Sequence, residues 1–363
     1  MIKKLTALQG PLSAFLLNTE LVKSTVSTLL ELGTTKYEYR SRNPETRFFA
    51  LVELFSELMG KPFVFSKGDP DEMSGAWKLV KYKGCHFGFK GGDYDDGDLR
   101  LYVTVPINYA DTYADLLVDA EKRWKAKHPN VIRVLAPSSM YSINWEPPID
   151  IPTIKQQNLF FNNGLTAKVL EDLDAFFSNK QYYLDLGVPY KRSMLLSGPP
   201  GTGKTSLVKF LACHYKMPIF TGNGQDFKHF TSKICDIKEP SLFLLEDIDL
   251  SLANTKKDIT QQLLQFLDGA KPQNGHVYVM TSNDPSKLSK AIVRPGRIDK
   301  IYFLGHISPE NAVEMAKQYG INTNFEHLAD FIGTHKVTPA QLQQLLLDLK
   351  KGTVEDEWSV YIR

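Results

Sequence analysis

The residues with the clearest chemical purpose form a glycine-rich run, GPPGTGKT, at residues 198–205. The run fits the pattern GxxxxGK[ST], follows an apolar stretch and precedes a segment with helical spacing. Glycines let the backbone wrap around phosphate groups, and the N-terminus of a helix adds partial positive charge. We therefore predict a phosphate-binding loop in which Lys204 contacts the β- and γ-phosphates and the Thr205 hydroxyl binds Mg²⁺.

A pair of carboxylates follows a second apolar run. Glu246 and Asp247 come directly after the sequence LFLL at residues 242–245. One carboxylate is expected to hold Mg²⁺ through water, and the other to polarise the water that attacks the terminal phosphate. Solvated acids at the end of a strand would explain such a pair in isolation, but the phosphate-binding loop upstream favours the catalytic interpretation.

Further polar residues follow a third apolar run, VYVMTS, at residues 277–282. The amide of Asn283 could orient the lytic water or contact the γ-phosphate, although Asn-Asp-Pro is also a favourable turn sequence. Arg294 and Arg297 flank a Pro-Gly pair. A guanidinium aimed at the γ-phosphate accelerates hydrolysis by roughly 10³–10⁵-fold in GTPases. Surface ion pairing with Asp299 or Glu246 is the alternative for one of these arginines.

The segments around these residues alternate between helical and strand-like patterns. Helical spacing occurs at residues 170–177, 204–215 and 259–267, and short apolar runs occur at 193–197, 218–220, 241–245 and 276–281. Such alternation predicts an α/β fold with a parallel sheet covered on both faces. Residues 308–350 are mostly helical with short loops and should form a small bundle or lid.

The N-terminal half shows a different pattern. Residues 61–106 read as strands, with clear period-two alternation at 99–105, and residues 109–127 read as a helix. An α+β domain is expected here, and no catalytic motif lies in it.

Residues 1–34 are predicted to form an amphipathic helix, because apolar side chains recur at helical spacing between positions 11 and 30. Glu20 and Lys23 lie in the middle of this stretch, and each costs about 2.5–3.5 kcal/mol at the centre of a membrane-spanning helix. We therefore expect no transmembrane segment. The apolar face either packs on this chain or a neighbouring copy, or lies on a membrane surface.

Composition narrows the function classes. The 363 residues include 43 basic and 41 acidic side chains, and the net charge of +2 gives no footprint for nucleic acid. The three cysteines contain no CxxC pair and the eight histidines no metal-binding spacing, which argues against a disulfide framework or a zinc site.

In their order and spacing, these motifs resemble the AAA ATPase module. Four further runs resemble one subgroup, which contains the mitochondrial chaperone that translocates the Rieske protein during respiratory complex III assembly. These runs are YYLDLGVPYKR at 182–192, LLEDID at 244–249, LLQFLDG at 263–269 and TPAQLQ at 338–343. The resemblance covers about residues 155–350. It implies a P-loop AAA module with a small helical lid, preceded by an α+β domain.

The resemblance also implies roles for individual residues. Most members end the second motif with Asp-Glu, whereas this chain and the subgroup have Glu-Asp, so by position Glu246 serves the metal and Asp247 the water. The implied catalytic set is Glu246, Asp247, Asn283, Arg294 and Arg297, with both arginines acting on a neighbouring subunit, and the implied metal ligands are Thr205 and Glu246. The implied nucleotide-binding set is Val188, Tyr190, Gly198, Pro200, Gly201, Thr202, Gly203, Lys204, Thr205, Ser206, Pro339 and Ala340, in which Val188 and Tyr190 approach adenine and Pro339 and Ala340 form a lid turn near the base.

We therefore expect five segments: an amphipathic helix (1–34), an α+β domain (35–150), the large ATPase subdomain (151–305), a helical lid (306–352) and a tail (353–363). The expected protein is a soluble, cytoplasmic ATPase that binds ATP and Mg²⁺ and forms a homo-oligomeric ring, with a heptamer favoured over a hexamer.

The ring is expected to remodel or translocate a protein substrate. A nucleic-acid motor or loader and an ATP-gated assembly scaffold are the alternatives. The aromatic-glycine pore motif of many AAA proteins is missing, and Phe227 and Phe230 near that position are interpreted as packing residues.

Overall fold

The fold was analysed in a computed structural model of the chain. The described residues are 34–41, 47–63, 66–67, 77–93, 99–139, 142–222, 227–235, 237, 239–253, 257–268, 275–321, 323–352 and 358. The predicted amphipathic helix lies outside them. The chain divides into two compact units, residues 1–129 with 137–147, and residues 130–136 with 148–363.

The first unit contains a largely antiparallel sheet. Its strands are β1 (Thr34–Arg40), β2 (Ser66–Lys67), β3 (Lys78–Tyr82), β4 (Cys85–Asp93) and β5 (Leu99–Pro106), in the order β1-β5-β4-β2 with β3 paired to β4. Its helices are α1 (Arg47–Met59) and α2 (Ala110–Lys127). The sequence patterns that predicted strands within residues 61–106 and a helix at 109–127 agree with β3 to β5 and with α2. Sequence patterns did not indicate β1, whose side chains are mostly exposed, or α1.

The second unit is built on a parallel sheet, which confirms the predicted fold class. Its strands are β6 (Val131–Ser139), β8 (Ile149–Asp150), β9 (Lys191–Ser197), β10 (Ile219–Gly222), β11 (Leu242–Leu245), β12 (His276–Ser282) and β13 (Lys300–Phe303). The order is β13-β9-β12-β11-β10-β6, and β8 pairs with β6 antiparallel. A further strand, β7 (Ser142–Trp145), lies in the first unit.

The sequence-based domain boundary at residue 150 needs correction at β6. Ile132 to Leu135 pair in parallel with β10, so residues 130–136 belong to the sheet of the second unit although they precede the proline-rich linker. The physical reason is the edge of β10. An edge strand presents unpaired N–H and C=O groups, and the apolar run of β6 pairs with them.

Helices cover this sheet and extend beyond it. They are α3 (Leu165–Ser178), α4 (Lys180–Asp185), α5 (Lys204–Tyr215), α6 (Phe227–Ile234), α7 (Ile248–Ala253) and α8 (Lys257–Leu267). Val169 and Leu173 of α3 and Leu207 of α5 share one buried cluster with Leu196 and Val279 of the sheet. Phe230 of α6 is fully buried and its ring lies edge-on to Phe243, so it packs in the core.

The lid has a separate core. Helices α9 (Pro309–Gln318), α10 (Phe325–Thr334) and α11 (Pro339–Lys351) surround buried Met315, Leu328 and Leu342. A side-chain oxygen caps the start of each helix, as acceptor from a backbone N–H two or three residues later; the caps are Ser308, Asn324 and Thr338. These caps end the preceding loops sharply and fix where each lid helix begins.

Within the part of the chain that the structure describes, no helix is both long enough and apolar enough to span a bilayer.

A buried ion pair joins α3 to β9. Arg192 Nε donates to Asp172 Oδ2 at 2.9 Å, and Arg192 Nη2 donates to Asp172 Oδ1. The two side chains are only 16% and 10% exposed, so the pair is largely shielded from water. The pair therefore ties the helix that covers the sheet to the strand that leads into the phosphate-binding loop.

Asp172→Ala should lower the free energy of unfolding by about 3 kcal/mol, because the Arg192 guanidinium would stay buried without its carboxylate. Urea unfolding followed by circular dichroism measures this change. Lys287→Ala is the matched control: Lys287 pairs with Asp284 at 3.5 Å between exposed side chains, and its loss should cost less than about 1 kcal/mol. Equal stability of the two variants would contradict the role given to the buried pair.

Candidate active site

The loop between β9 and α5 is shaped by a close backbone approach. Gly198 has a φ of 147°, and a Cβ at this position would lie 1.9 Å from the carbonyl oxygen of Leu304. Leu304 N donates to Ser197 O at 2.7 Å, which holds the chain after β13 against the start of the loop. Only glycine fits at position 198, so the loop can turn towards α5 directly after the strand.

The N-terminus of α5 offers free donors. Gly203 is the N-cap residue, with a φ of 92°, and no side chain caps the helix among the described residues. The first N–H groups of a helix have no partner within it, and the helix dipole adds positive potential at this end. This end of α5 is therefore suited to an anionic ligand.

Lys204 is held over the loop by three acceptors. Its ammonium donates to Gly198 O at 2.7 Å, to Pro199 O at 3.0 Å and to Asn283 Oδ1 at 2.8 Å. Burial lowers the pKa of Lys204, and the negative charges of Asp247 and Asp249 oppose that shift. A positive charge is thus fixed where the loop would wrap a phosphate.

The two adjacent carboxylates have different partners. Glu246 Oε1 accepts from the Thr205 hydroxyl at 2.6 Å, which brings the predicted metal ligands together. Asp247 instead accepts from Asn283 Nδ2 at 2.9 Å. Its backbone has a φ of 47°, a left-handed conformation that aspartate tolerates, and its N–H donates to Thr281 Oγ1 at 2.9 Å. The strand thus ends in a turn that points its carboxylates to different neighbours.

Asn283 is positioned by a buried acid that the sequence analysis did not single out. Asp249 is 2% exposed and accepts from the backbone N–H groups of Asn283 at 3.3 Å and Asp284 at 3.1 Å. The amide of Asn283 is therefore fixed between Lys204 and Asp247. Asp249 is the third acid of the run LEDID, and its place beside Glu246 and Asp247 was the signal in the sequence that could have identified it.

These groups line one cavity of about 540 Å³, within the usual size of small-molecule sites. From the predicted set the lining includes residues 200–206, Glu246, Asp247, Asn283, Pro339 and Ala340. Ala340 N donates to Gly201 O at 3.1 Å, so the start of the last lid helix touches the loop directly. Residues absent from the prediction complete the lining: Ile154, Asn158, Leu159, Phe160, Phe161, Thr281, Met315, Tyr319 and Gln343.

The structure does not bring Val188 and Tyr190 to this cavity, which corrects the assignment of both. Tyr190 is 8% exposed and stacks on Phe176 with ring centroids 4.7 Å apart. Val188 lines a separate groove with Tyr182. Both residues precede the start of β9, whereas the phosphate-binding loop follows its end. A seven-residue strand separates these two ends by about 20 Å.

Two residues of an apolar segment before α3 line the cavity instead. Phe160 and Phe161 lie between the linker and α3, and Met315 and Tyr319 face them from the lid. The adjacent phenylalanines at 160 and 161, and two large side chains four residues apart at 315 and 319, were visible in the sequence. No local motif, however, linked residue 160 to residue 315.

Neither predicted arginine lines the cavity, and the two differ in their contacts. Arg297 Nε and Nη2 donate to the two carboxylate oxygens of Asp268 at 2.5 and 2.8 Å, and Nη1 donates to Ala291 O at 2.7 Å. The Arg294 side chain is exposed, with no hydrogen-bond or ion-pair partner among the described residues. The ion-pair partner of Arg297 is thus Asp268, not Asp299 or Glu246, which the sequence had suggested for one of the arginines.

Comparison with known proteins matches this region to one family. Residues 194–306 fit the family described as ATPase family associated with various cellular activities (AAA). The chain therefore contains an AAA domain. The matched span contains the phosphate-binding loop, both carboxylates, Asn283 and the two arginines.

Proteins named as mitochondrial chaperones are among the relatives of the chain. The probable mitochondrial chaperone bcs1 of Schizosaccharomyces pombe is 28% identical over 260 residues, which cover 67% of this chain and 57% of that protein. Mitochondrial chaperone BCS1 of Bos taurus is 30% identical over 208 residues, covering 51% and 50%. An AAA-ATPase of Arabidopsis thaliana is 30% identical over 241 residues, covering 57% and 44%. The chain spans about half the length of the curated relatives it matches.

Lys204→Ala should weaken ADP binding at least about 100-fold, because the phosphates lose a fixed, partly buried positive charge. Isothermal titration with ADP measures the affinity. Lys209→Ala removes a lysine from the same helix, outside the cavity lining, and should bind ADP like the parent protein. Undiminished ADP affinity of the Lys204 variant would refute the phosphate-loop assignment.

Proposed function

We propose that this AAA ATPase hydrolyses ATP as a homo-oligomeric ring, with sites completed by neighbouring copies, and that turnover remodels or translocates a protein substrate. The observation that carries the proposal is the placement of the arginines. The Arg294 side chain has no hydrogen-bond or ion-pair partner among the described residues and lies outside its own cavity. A guanidinium exposed in this way is available to a neighbouring subunit's γ-phosphate.

Within the proposal the two arginines have different roles. Arg297 is held by both carboxylate oxygens of Asp268 and by Ala291 O, so it braces the segment that carries Arg294. Arg294 is the residue that acts on the neighbouring site. A charge supplied at the terminal phosphate stabilises the transition state without any covalent step in the protein.

Thr205 and Glu246 are proposed to hold Mg²⁺. Their oxygens are joined by a 2.6 Å hydrogen bond, and hydroxyl and carboxylate oxygens are the ligands that Mg²⁺ prefers. No group of three or more His, Cys, Asp or Glu residues in the described part of the chain is arranged as a metal site. Two protein ligands are typical where phosphates and water complete the shell. The bound ion would neutralise charge on the β- and γ-phosphates.

The remaining chemistry is assigned to Asp247 and Asn283. Asn283 Nδ2 donates to Asp247 Oδ1 at 2.9 Å, so the carboxylate is oriented and its charge is partly stabilised. Asp247 would accept a proton from the attacking water, and Asn283 would orient that water or contact the γ-phosphate. Lys204 supplies fixed positive charge beside both.

A head-to-tail interface that repeats by rotation closes into a ring. The arginine segment of one copy would meet the cavity of the next, and the subgroup resemblance favours seven copies over six. Two of the three relatives reported above carry the name chaperone, which supports a protein substrate for this chain. The proposed location is the cytoplasm, on the sequence argument that Glu20 and Lys23 interrupt the apolar stretch at residues 11–30.

Asp247→Asn should bind ATP with little change yet hydrolyse it about 100-fold or more slowly, because the amide cannot accept the proton of water. Glu246→Gln should instead raise the Mg²⁺ concentration needed for half-maximal binding of ATP, since the Thr205–Glu246 pair loses its charge. Steady-state hydrolysis and a Mg²⁺ titration separate the two phenotypes. If they are exchanged, the roles of the two carboxylates are reversed.

Mixing two inactive variants tests the shared site. Arg294→Ala retains its own phosphate-binding loop, and Lys204→Ala retains its arginine, so mixed rings contain some complete interfaces and should recover part of the ATPase activity. The activity per subunit should also rise with protein concentration as rings form.

The control mixes Arg294→Ala with the double variant Lys204→Ala/Arg294→Ala, in which no interface has an arginine. This mixture should stay inactive. Full activity of a demonstrably monomeric sample would refute the shared site. Salt-sensitive stimulation of the ATPase by DNA would favour a nucleic-acid motor over a protein-remodelling ring.

A further inference from the structure

Asn162 lies next to the proposed nucleotide cavity, directly after two residues that line it. It begins a short helical turn, Asn162–Gly164, directly after Phe160 and Phe161. Both phenylalanines line the cavity. Phe161 also lies against the loop, since a Cβ on Gly203 would be 3.1 Å from its ring, and Phe160 packs against the core of the lid.

The side-chain amide of Asn162 makes three hydrogen bonds to one short segment. Its Nδ2 donates to His306 O at 2.7 Å. Its Oδ1 accepts from Ser308 N at 3.0 Å and from Asn311 Nδ2 at 3.0 Å. These partners lie between the end of β13 at Phe303 and the first turn of α9, where the chain passes from the sheet into the lid. One amide thus fastens the hinge of the lid.

The same contacts set the rotation of α9. Asn311, Met315 and Tyr319 are spaced four residues apart, so they lie on one face of the helix. Asn311 bonds Asn162, whereas Met315 and Tyr319 line the cavity together with the phenylalanines. Holding Asn311 therefore fixes the orientation of the helix that presents these two side chains to the cavity.

We propose that Asn162 is a positioning residue for nucleotide binding: by fastening the lid hinge to the segment that carries Phe160 and Phe161, it presets the width of the base side of the cleft. This inference rests on the proposed nucleotide site. Asn162 acts through the lid: among the described residues its amide bonds His306, Ser308 and Asn311. Lys204, Asp247 and Asn283, whose hydrogen bonds belong to the hydrolytic step, form a separate network.

The expected effect follows from preorganisation. A ligand that binds only the preset cleft has an apparent Kd equal to its intrinsic Kd divided by the fraction of protein in that state. Loss of three hydrogen bonds at the hinge should lower this fraction to about a tenth, which weakens ADP binding and raises KM for ATP about tenfold. The groups that carry out hydrolysis keep their contacts, so kcat should change less than about threefold.

The test measures ADP affinity by isothermal titration and ATP hydrolysis by steady-state kinetics in the full chain. Asn162→Ala should weaken ADP binding about tenfold, and Asn311→Ala, which removes one of the three bonds, about threefold. The double variant should bind ADP no more weakly than Asn162→Ala, because the bond between the two residues is already lost.

Asn179→Ala is the matched control. Asn179 also donates from its amide to a backbone carbonyl, that of Ala175 at 2.7 Å, but at the exposed end of α3 and outside this cavity. It should bind ADP and hydrolyse ATP like the parent protein. Hydrogen exchange at residues 305–308 should be faster in Asn162→Ala than in the control.

Equal ADP affinity of Asn162→Ala and Asn179→Ala would overturn the inference, as would a loss confined to kcat. If Asn162→Ala does not fold, Asn311→Ala decides, and an unchanged ADP affinity there overturns the inference. A parent protein that binds neither ADP nor ATP would refute the proposed function instead, and this outcome is distinct because no variant is needed to see it.

Discussion

The amide of Asn283 is the contact on which the arrangement of the site depends. Its oxygen accepts from Lys204 after β9, and its nitrogen donates to Asp247 after β11, while Asn283 itself follows β12. β12 lies between the other two strands, so a central strand must supply the bridging residue. The register of the parallel sheet places the three strand ends side by side. The buried carboxylate of Asp249 then fixes the backbone that carries the amide.

Much of this centre could be predicted because its signals are local. The phosphate-binding loop is a continuous motif between an apolar strand and a helix, and Glu246, Asp247 and Asn283 each end a strand that the sequence marks as buried. Parallel strands meet at one edge, so the grouping follows from the fold class. The close approach of Leu304 to Gly198 explains the loop's first glycine, but that contact joins residues more than a hundred positions apart and could not be read from the sequence.

The predictions that were wrong or missing concern residues whose contacts lie far away in the sequence. One part of the cavity lining combines residues 154–161 with Met315 of α9, and no periodicity connects them. Val188 and Tyr190 carry a family-like motif, yet the length of β9 separates them from the loop. Arg297 differs from Arg294 in its contacts because it bonds Asp268, which lies 29 residues earlier in the chain. The identities of these residues were informative, but their partners were decided by tertiary packing.

The edge strand β6 has a practical consequence for dividing the protein. The proline-rich linker suggests a domain boundary at residue 151. A fragment that begins there would lose β6, the strand that pairs with β10. The freed edge would expose four residues, IFTG, with unpaired backbone groups and two buried apolar side chains beside them. Such an edge is a template for pairing between molecules, so the fragment would be prone to aggregate. The ATPase unit is discontinuous in sequence, and a fragment intended to keep its sheet intact must begin before Asn130.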